Sequence, residues 1–175
     1  MVVKVCGITN EADARAAIDA GATALGFNFW PKSPRFVEPQ PWMRDLPITK
    51  VGIFVGPVTQ MEGLDVVQVY GEDSPAGVRV WRAVKPGAAR TNAEAYVMDV
   101  SEGTGKTFDW TLAAGLPERI VLAGGLNASN VAEAIRAARP WGVDACSGIE
   151  AAPGKKDHAK MRDFVAAARE GLGIR

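Results

Sequence analysis

Histidine is almost absent from this 175-residue chain, which has His158 alone, and cysteine is nearly as scarce, with Cys6 and Cys146. So few ligating side chains exclude zinc sites built on several His or on paired Cys, and two thiols make no disulfide framework. Ser-His-Asp hydrolysis needs only one His, but no Gly-x-Ser-x-Gly elbow accompanies it. The formal net charge is zero, so the electrostatic footprint of a nucleic-acid binder is missing. No apolar run approaches the roughly 20 residues that span a bilayer. No basic segment followed by a long apolar stretch opens the chain, so a secretory signal is not expected. These absences predict a cytoplasmic protein with free thiols, no metal, no nucleic-acid partner and no membrane partner. Proton transfer is left to carboxylates, Lys, Tyr and a thiol.

Hydrophobic residues make up 47% and charged residues 23%, ordinary values for one globular domain of this length, here taken as residues 1–175. Apolar, β-branched runs begin near Val2, Ala24, Val51, Val66, Val78, Ala95, Ile120 and Val143. Helix-like segments follow several of them. Asn10 through Ala20 has apolar positions at helical spacing (Ala14, Ala17, Ile18). Asn127 is placed to N-cap a helix over 128–138, and Asp157 to N-cap one reaching Leu172. Eight strands alternating with helices predict an α/β (βα)8 TIM barrel. A doubly wound sheet is the alternative, but it rarely uses eight strands in so short a chain.

Such barrels typically need about 250 residues. The shortage is local: the strand starts near Val51, Val66, Val78 and Ala95 are only roughly 12–17 residues apart, too little for a full helix with two loops. Pro39, Pro41 and Pro47 also break the helical period after the second strand. Outer helices are therefore expected to be shortened or missing between strands 2 and 6. Bare outward faces on strands 3 to 5 would exceed the apolar patch a monomer tolerates. That predicts a homodimer joined on this thin side, and it places Trp81 as a cover for exposed core.

Several residues stand where a barrel carries chemistry. Cys6 ends the first strand, just before Gly7 and the helix start at Asn10. It reads either as a small core hydrophobe or as a base whose thiol is acidified nearby. Asp99 ends the sixth strand and reads as a turn former or as an acid facing the site. Arg35, in the Pro-rich loop 31–35, is a solvated charge or a fork for a carboxylate. Gly103, Thr104 and Gly105, Gly124 and Gly125, and Ser147 and Gly148 form three loops able to offer backbone N–H groups to a phosphate. The alternative is that they are tight turns. Asp144 either contacts the substrate or orders neighbouring loops. Cys146 reads as a packing residue, Asp109 as a helix cap, and Lys32 and His158 as surface residues.

Lys4-Val5-Cys6-Gly7-Ile8-Thr9, the loop 31–35, the stretch 99–105 and Phe108-Asp109-Trp110 together resemble the phosphoribosylanthranilate isomerase family, and the likeness runs end to end. The resemblance implies an Amadori rearrangement of a small phosphorylated substrate, N-(5-phosphoribosyl)anthranilate, with no cofactor. It implies Cys6 as general base, Asp99 as general acid, Arg35 on the anthranilate carboxylate, and the phosphate on the Gly-rich loops. Two departures from the family stand out. Its usual Gln-Leu-His-Gly is here Gln68-Val69-Tyr70-Gly71, so Tyr70 can supply an aromatic wall but not the same hydrogen bonding. The other departure is the erosion of the outer helices. Two other readings stay open. One is another sugar-phosphate isomerase on the same scaffold, which would use two Asp. The other is a degenerate, non-catalytic binder of phosphorylated ligands.

Overall fold

The computed structural model describes residues 1–100 and 107–175. Eight strands close into an all-parallel barrel in chain order: β1 (Val2–Val5), β2 (Ala24–Asn28), β3 (Thr49–Val55), β4 (Val66–Tyr70), β5 (Arg79–Val84), β6 (Ala95–Met98), β7 (Ile120–Leu122) and β8 (Gly142–Ala145). The ring closes where β1 pairs with β8, Val5 opposite Ala145. Each predicted run is one of these strands.

Helices flank only part of the ring. Helix α1 (Glu11–Asp19) starts on Asn10, whose side chain accepts from the Asp13 N–H. Helix α2 (Pro41–Arg44) is a single turn after β2. Helix α3 (Val131–Ala138) begins later than its sequence predicts, because Asn127 caps a preceding turn through the Ser129 N–H. Helix α4 (His158–Leu172) starts on Asp157, which accepts from Ala159 and Lys160. Among the described residues no helix lies between β3 and β6, as expected. Between β6 and β7, the helical element among the described residues is a 3-10 turn, Trp110–Ala113. A short antiparallel hairpin, β9 (Glu150–Ala152) and β10 (Lys155–Lys156), precedes α4.

The outward faces of strands 3 to 5 are not bare, which corrects the basis of the predicted thin-side interface. Outward-pointing Phe54, Val67 and Val69 are buried within the chain. Gly52 leaves an outward gap on β3 that Leu64 fills: a Cβ on Gly52 would meet Leu64 Cδ1 at 2.5 Å. Outward Arg82 on β5 is 3% exposed and binds two shortened loops at once. Its Nε donates to the Thr91 carbonyl (3.2 Å) and its Nη2 to Ser74 Oγ (2.7 Å) and the Asp73 carbonyl (3.3 Å), while Nη1 donates to the Gly71 carbonyl. One guanidinium with five donors thus ties down chain that a helix would otherwise cover.

Trp81 also departs from expectation. It does not cover the outside but points into the barrel, where Val2, Ala24, Val51, Val66, Ala95, Val97, Val121 and Ala123 surround it. Trp141 meets it edge-on at 5.6 Å and Arg119 lies over the Trp141 ring at 5.2 Å. This floor closes one end of the barrel and leaves the other open. Alternation along β1, β6 and β8 then sends Cys6, Asp99, Asp144 and Cys146 to the open end.

Candidate active site

A cavity of about 500 Å³ occupies the C-terminal mouth, where barrels of this kind carry their chemistry. Of the residues singled out from sequence, Cys6, Arg35, Tyr70, Asp99, Gly124, Gly125, Asp144 and Ser147 all line it. Gly148 lies just behind, packed so closely on the Leu126 backbone that no Cβ would fit. Gly103, Thr104 and Gly105 lie outside the described residues. Cys146, taken from sequence as a packing residue, lines the cavity as well. It follows Ala145 on β8 as Cys6 follows Val5 on β1, so both thiols emerge at the same height.

The cation beside Cys6 is Lys4. It lies two residues back on the same strand, so it faces the same way. Lys4 is fully buried, and its Nζ lies 2.8 Å from Asp144 Oδ2. Burial works against the ammonium, but Asp144 and Cys6 outweigh it, so Lys4 stays charged. The Cys6 thiol is held well below the ordinary thiol range, first by a hydrogen bond from the Cys146 thiol. Lys4 and Lys156 add to this against the opposing effect of burial. Cys146 is pushed the other way by the neighbouring Cys6 sulfur and by burial, so it stays the donor of the pair. The helix start at Asn10, invoked from sequence, is not among these causes.

Burial raises the Asp144 carboxyl to about 7 despite Lys4, helped by Cys6 and Asp99 nearby. Its Oδ1 is buried in the cavity wall with no partner among the described residues. Gln68, also in the wall, leaves its Oε1 unpartnered in the same way. Burial, Asp99 and Cys6 push the Tyr70 phenol up, so it remains a protonated donor.

Arg35 does not present an open fork. Its Nε and Nη2 hold both oxygens of Glu150 at 2.9 and 2.8 Å. Glu150 is 8% exposed and also accepts from Lys156 Nζ at 3.0 Å and the Gly154 N–H at 3.2 Å. Burial opposes its charge, but Arg35 and Lys156 keep the carboxyl below the usual range. The loop after β2 therefore leans over β1 onto the β9–β10 hairpin, with Gly154 packed against Pro34. Arg35 is not remote from the β8 loop, because a closed barrel makes β2, β1 and β8 neighbours.

On the opposite wall, Gly124 and Gly125 have φ of +84° and +66°, a conformation that side chains resist and that frees backbone N–H groups to face a ligand. Among the described residues, no group of three or more His, Cys, Asp or Glu is placed to hold a metal ion. No helix there is long and apolar enough to cross a membrane. Lys32 is exposed. His158, partly exposed as expected, pairs with buried Asp13 at 2.8 Å.

A family model described as N-(5'-phosphoribosyl)anthranilate (PRA) isomerase matches residues 3–167. The chain belongs to this family. A curated relative from Solibacter usitatus, N-(5'-phosphoribosyl)anthranilate isomerase, is 48% identical over an alignment of 198 residues that covers 99% of this chain and 100% of the relative. That alignment is longer than the chain itself, so the relative carries residues that are missing here. A structure of monomers generated from the dimeric Thermotoga maritima isomerase superposes with TM-score 0.81 at 36% identity, covering 97% of this chain and 100% of that one. A family structure in complex with reduced 1-(o-carboxyphenylamino)-1-deoxyribulose 5-phosphate gives TM-score 0.80 at 35% identity, again covering 97% and 100%.

Sequence reasoning passed over Lys4, although strand alternation puts it beside Cys6. Glu150 and Lys156 gave no local signal, because they reach the site only through the hairpin fold.

Proposed function

We propose that this mouth carries out the family's Amadori rearrangement, with Cys6 as general base and Asp99 as general acid. The chain is an isomerase of tryptophan biosynthesis by family. The reaction turns N-(5'-phosphoribosyl)anthranilate into 1-(2-carboxyphenylamino)-1-deoxyribulose 5-phosphate, and proton transfers alone suffice for it. Asp99, as general acid, delivers a proton to the furanose oxygen as the C1–O bond breaks, leaving an iminium at C1. The Cys6 thiolate takes the proton from C2. The C2–H electron pair forms the C1–C2 double bond and neutralises the iminium nitrogen. Protonation at C1, with loss of the C2 hydroxyl proton as the C2 carbonyl forms, gives the ketose.

The observation that carries this reading is the pairing of an acidified Cys6 with Asp99 around one cavity at the C-terminal strand ends. Groups of this kind contribute about 10²–10⁴-fold each. Asp144 Oδ1, unpartnered among the described residues and beside Lys4, is suited to accept from the substrate amine. Gly124, Gly125 and Ser147 support a phosphate site, to which the family resemblance also assigns Gly103, Thr104 and Gly105. Arg35 is the group for the substrate carboxylate, held ready by Glu150. Two Asp acting as the acid–base pair, as in the sugar-phosphate rival, would leave an acidified thiol without a task.

Loss of substrate anthranilate fluorescence on mixing with the enzyme tests the reading. Absence of turnover with retained binding of the product would favour the non-catalytic binder. A cytoplasmic location fits two free thiols. We also infer a homodimer, supported by the dimeric Thermotoga maritima relative and not by a bare strand face. Sedimentation at micromolar concentration decides it.

A further inference from the structure

We propose that Cys6 and Cys146 form an oxidisable dithiol, a modification site that switches the enzyme off by closing into a disulfide across β1 and β8. The inference rests on the reading of Cys6 as base only for its effect on activity, not for the chemistry of the pair.

The geometry is that of neighbours on paired strands. Val5 stands opposite Ala145 in the register, and the Cys6 N–H donates to the Ala145 carbonyl at 2.9 Å. Adjacent strands lie about 4.7–4.9 Å apart, inside the roughly 4.4–6.8 Å between Cα atoms that a disulfide accepts. The Cys146 sulfur leans toward β1, and a Cβ on Gly7 would meet it at 2.9 Å. Cys146 is the residue that follows Ala145, the last of β8. Both cysteines are free and both line the open cavity, so a small oxidant reaches them.

The electrostatics suit attack. A thiolate is the species that attacks a disulfide, and the Cys6 sulfur is held toward that state by the hydrogen bond from Cys146 and by Lys4 and Lys156. Lys156 Nζ also lies 3.9 Å from the Cys146 sulfur. The oxidant is a low-molecular-weight disulfide. The Cys6 thiolate displaces one thiolate from it, giving a mixed disulfide at Cys6. Cys146 then loses its proton and attacks the Cys6 sulfur, expelling the second thiolate. The two sulfurs are oxidised by two electrons, the oxidant is reduced to two thiols, and one proton from Cys146 is released or taken up by a thiolate. The base is consumed in the bond, and a dithiol reductant restores it.

The test treats the reduced full-length enzyme with oxidised glutathione and follows intact mass, free thiol count and activity. The expected product has lost two hydrogens, carries no adduct, shows no free thiol and yields a crosslinked Cys6–Cys146 peptide. Activity falls in step and returns with dithiothreitol. Cys146→Ser, compared with its own starting activity, should instead stop at a glutathione adduct on Cys6. A stable adduct on the unaltered enzyme, or two unreacted thiols, overturns the proposal. If the disulfide forms while turnover persists, the dithiol site stands as chemistry but the switch is overturned, and with it Cys6 as base. Thiol count and peptide mass read the site even where turnover is absent.

Discussion

Arg35 and Glu150 grip each other with both arms, Nε to Oε1 at 2.9 Å and Nη2 to Oε2 at 2.8 Å, across two neighbouring loops of the barrel mouth. A bidentate pair of this kind fixes orientation as well as charge. It also uses the Nε–Nη2 edge of the fork that the sequence alone would assign to the substrate. What remains for a substrate carboxylate is the Nη1 side, aimed by Glu150.

Glu150→Gln should therefore weaken substrate capture more than chemistry. A hydrogen bond to a charged group contributes about 1.5–3 kcal/mol, so KM should rise on the order of 10- to 100-fold while kcat changes far less. Steady-state kinetics with the anthranilate substrate read the split. A fall in kcat at constant KM would mean that Glu150 acts on the reacting atoms and not through Arg35.

Cys6→Ala and Asp99→Asn should each remove about 10²–10⁴-fold of kcat with the fold intact by circular dichroism. Cys6→Ser is the sharper variant, because a hydroxyl does not ionise near neutrality even beside Lys4. Near-normal kcat in either of the first two would strip that residue of its role.

The pH profile should report the thiol. The hydrogen bond from Cys146, with Lys4 and Lys156, stabilises the charged form of Cys6, so the acid-side fall of kcat/KM lies below the ordinary thiol value of about 8.5. Lys4→Gln keeps a donor for Asp144 but removes the cation. The thiol pKa then rises and the acid-side limb moves to higher pH. An unmoved limb would assign that titration to another group.

Much of this was legible in the sequence, for reasons that differ from one residue to another. The eight strands were legible because each is a short β-branched run, and Cys6 and Asp99 because they end two of them. Lys4 was legible in principle through alternation, but a buried lysine is rare enough to be overlooked. Glu150 and Lys156 were not legible, because their proximity to Arg35 depends on barrel closure and on a hairpin whose residues carry no local mark. The covering of strands 3 to 5 was hidden too. It rests on Gly52 making room for Leu64 and on Arg82 turning outward, and neither follows from hydrophobic pattern.

Trp81 tests the closed floor of the barrel. It is 1% exposed and fills the layer that its smaller neighbours leave open. Trp81→Ala should cost about 3–5 kcal/mol in urea unfolding. Trp81→Phe should recover much of that while losing the edge contact with Trp141. A cost below ~1 kcal/mol for the alanine variant would mean that the floor collapses around the gap.

Arg82 gives the most direct test of how so short a chain keeps a full barrel. Its guanidinium is held by the carbonyls of Gly71, Asp73 and Thr91 and by Ser74 Oγ, all on two shortened loops. Arg82→Met keeps much of the stem's volume and removes every donor. The residues carrying these acceptors are exposed, apart from the loop contacts themselves, so water can replace the lost bonds. The global cost should therefore be modest, about 1–2 kcal/mol. The local cost should be larger in effect: amide hydrogen exchange should speed up around 71–74 and 88–92 and along the outward face of β5. Protection of β1 and β8, on the far side of the ring, should be unchanged. Arg82 points outward and does not line the cavity, so kcat should fall little. Uniform loss of protection around the ring would show instead that Arg82 holds the whole barrel together, and that the shortened loops contribute no independent cover.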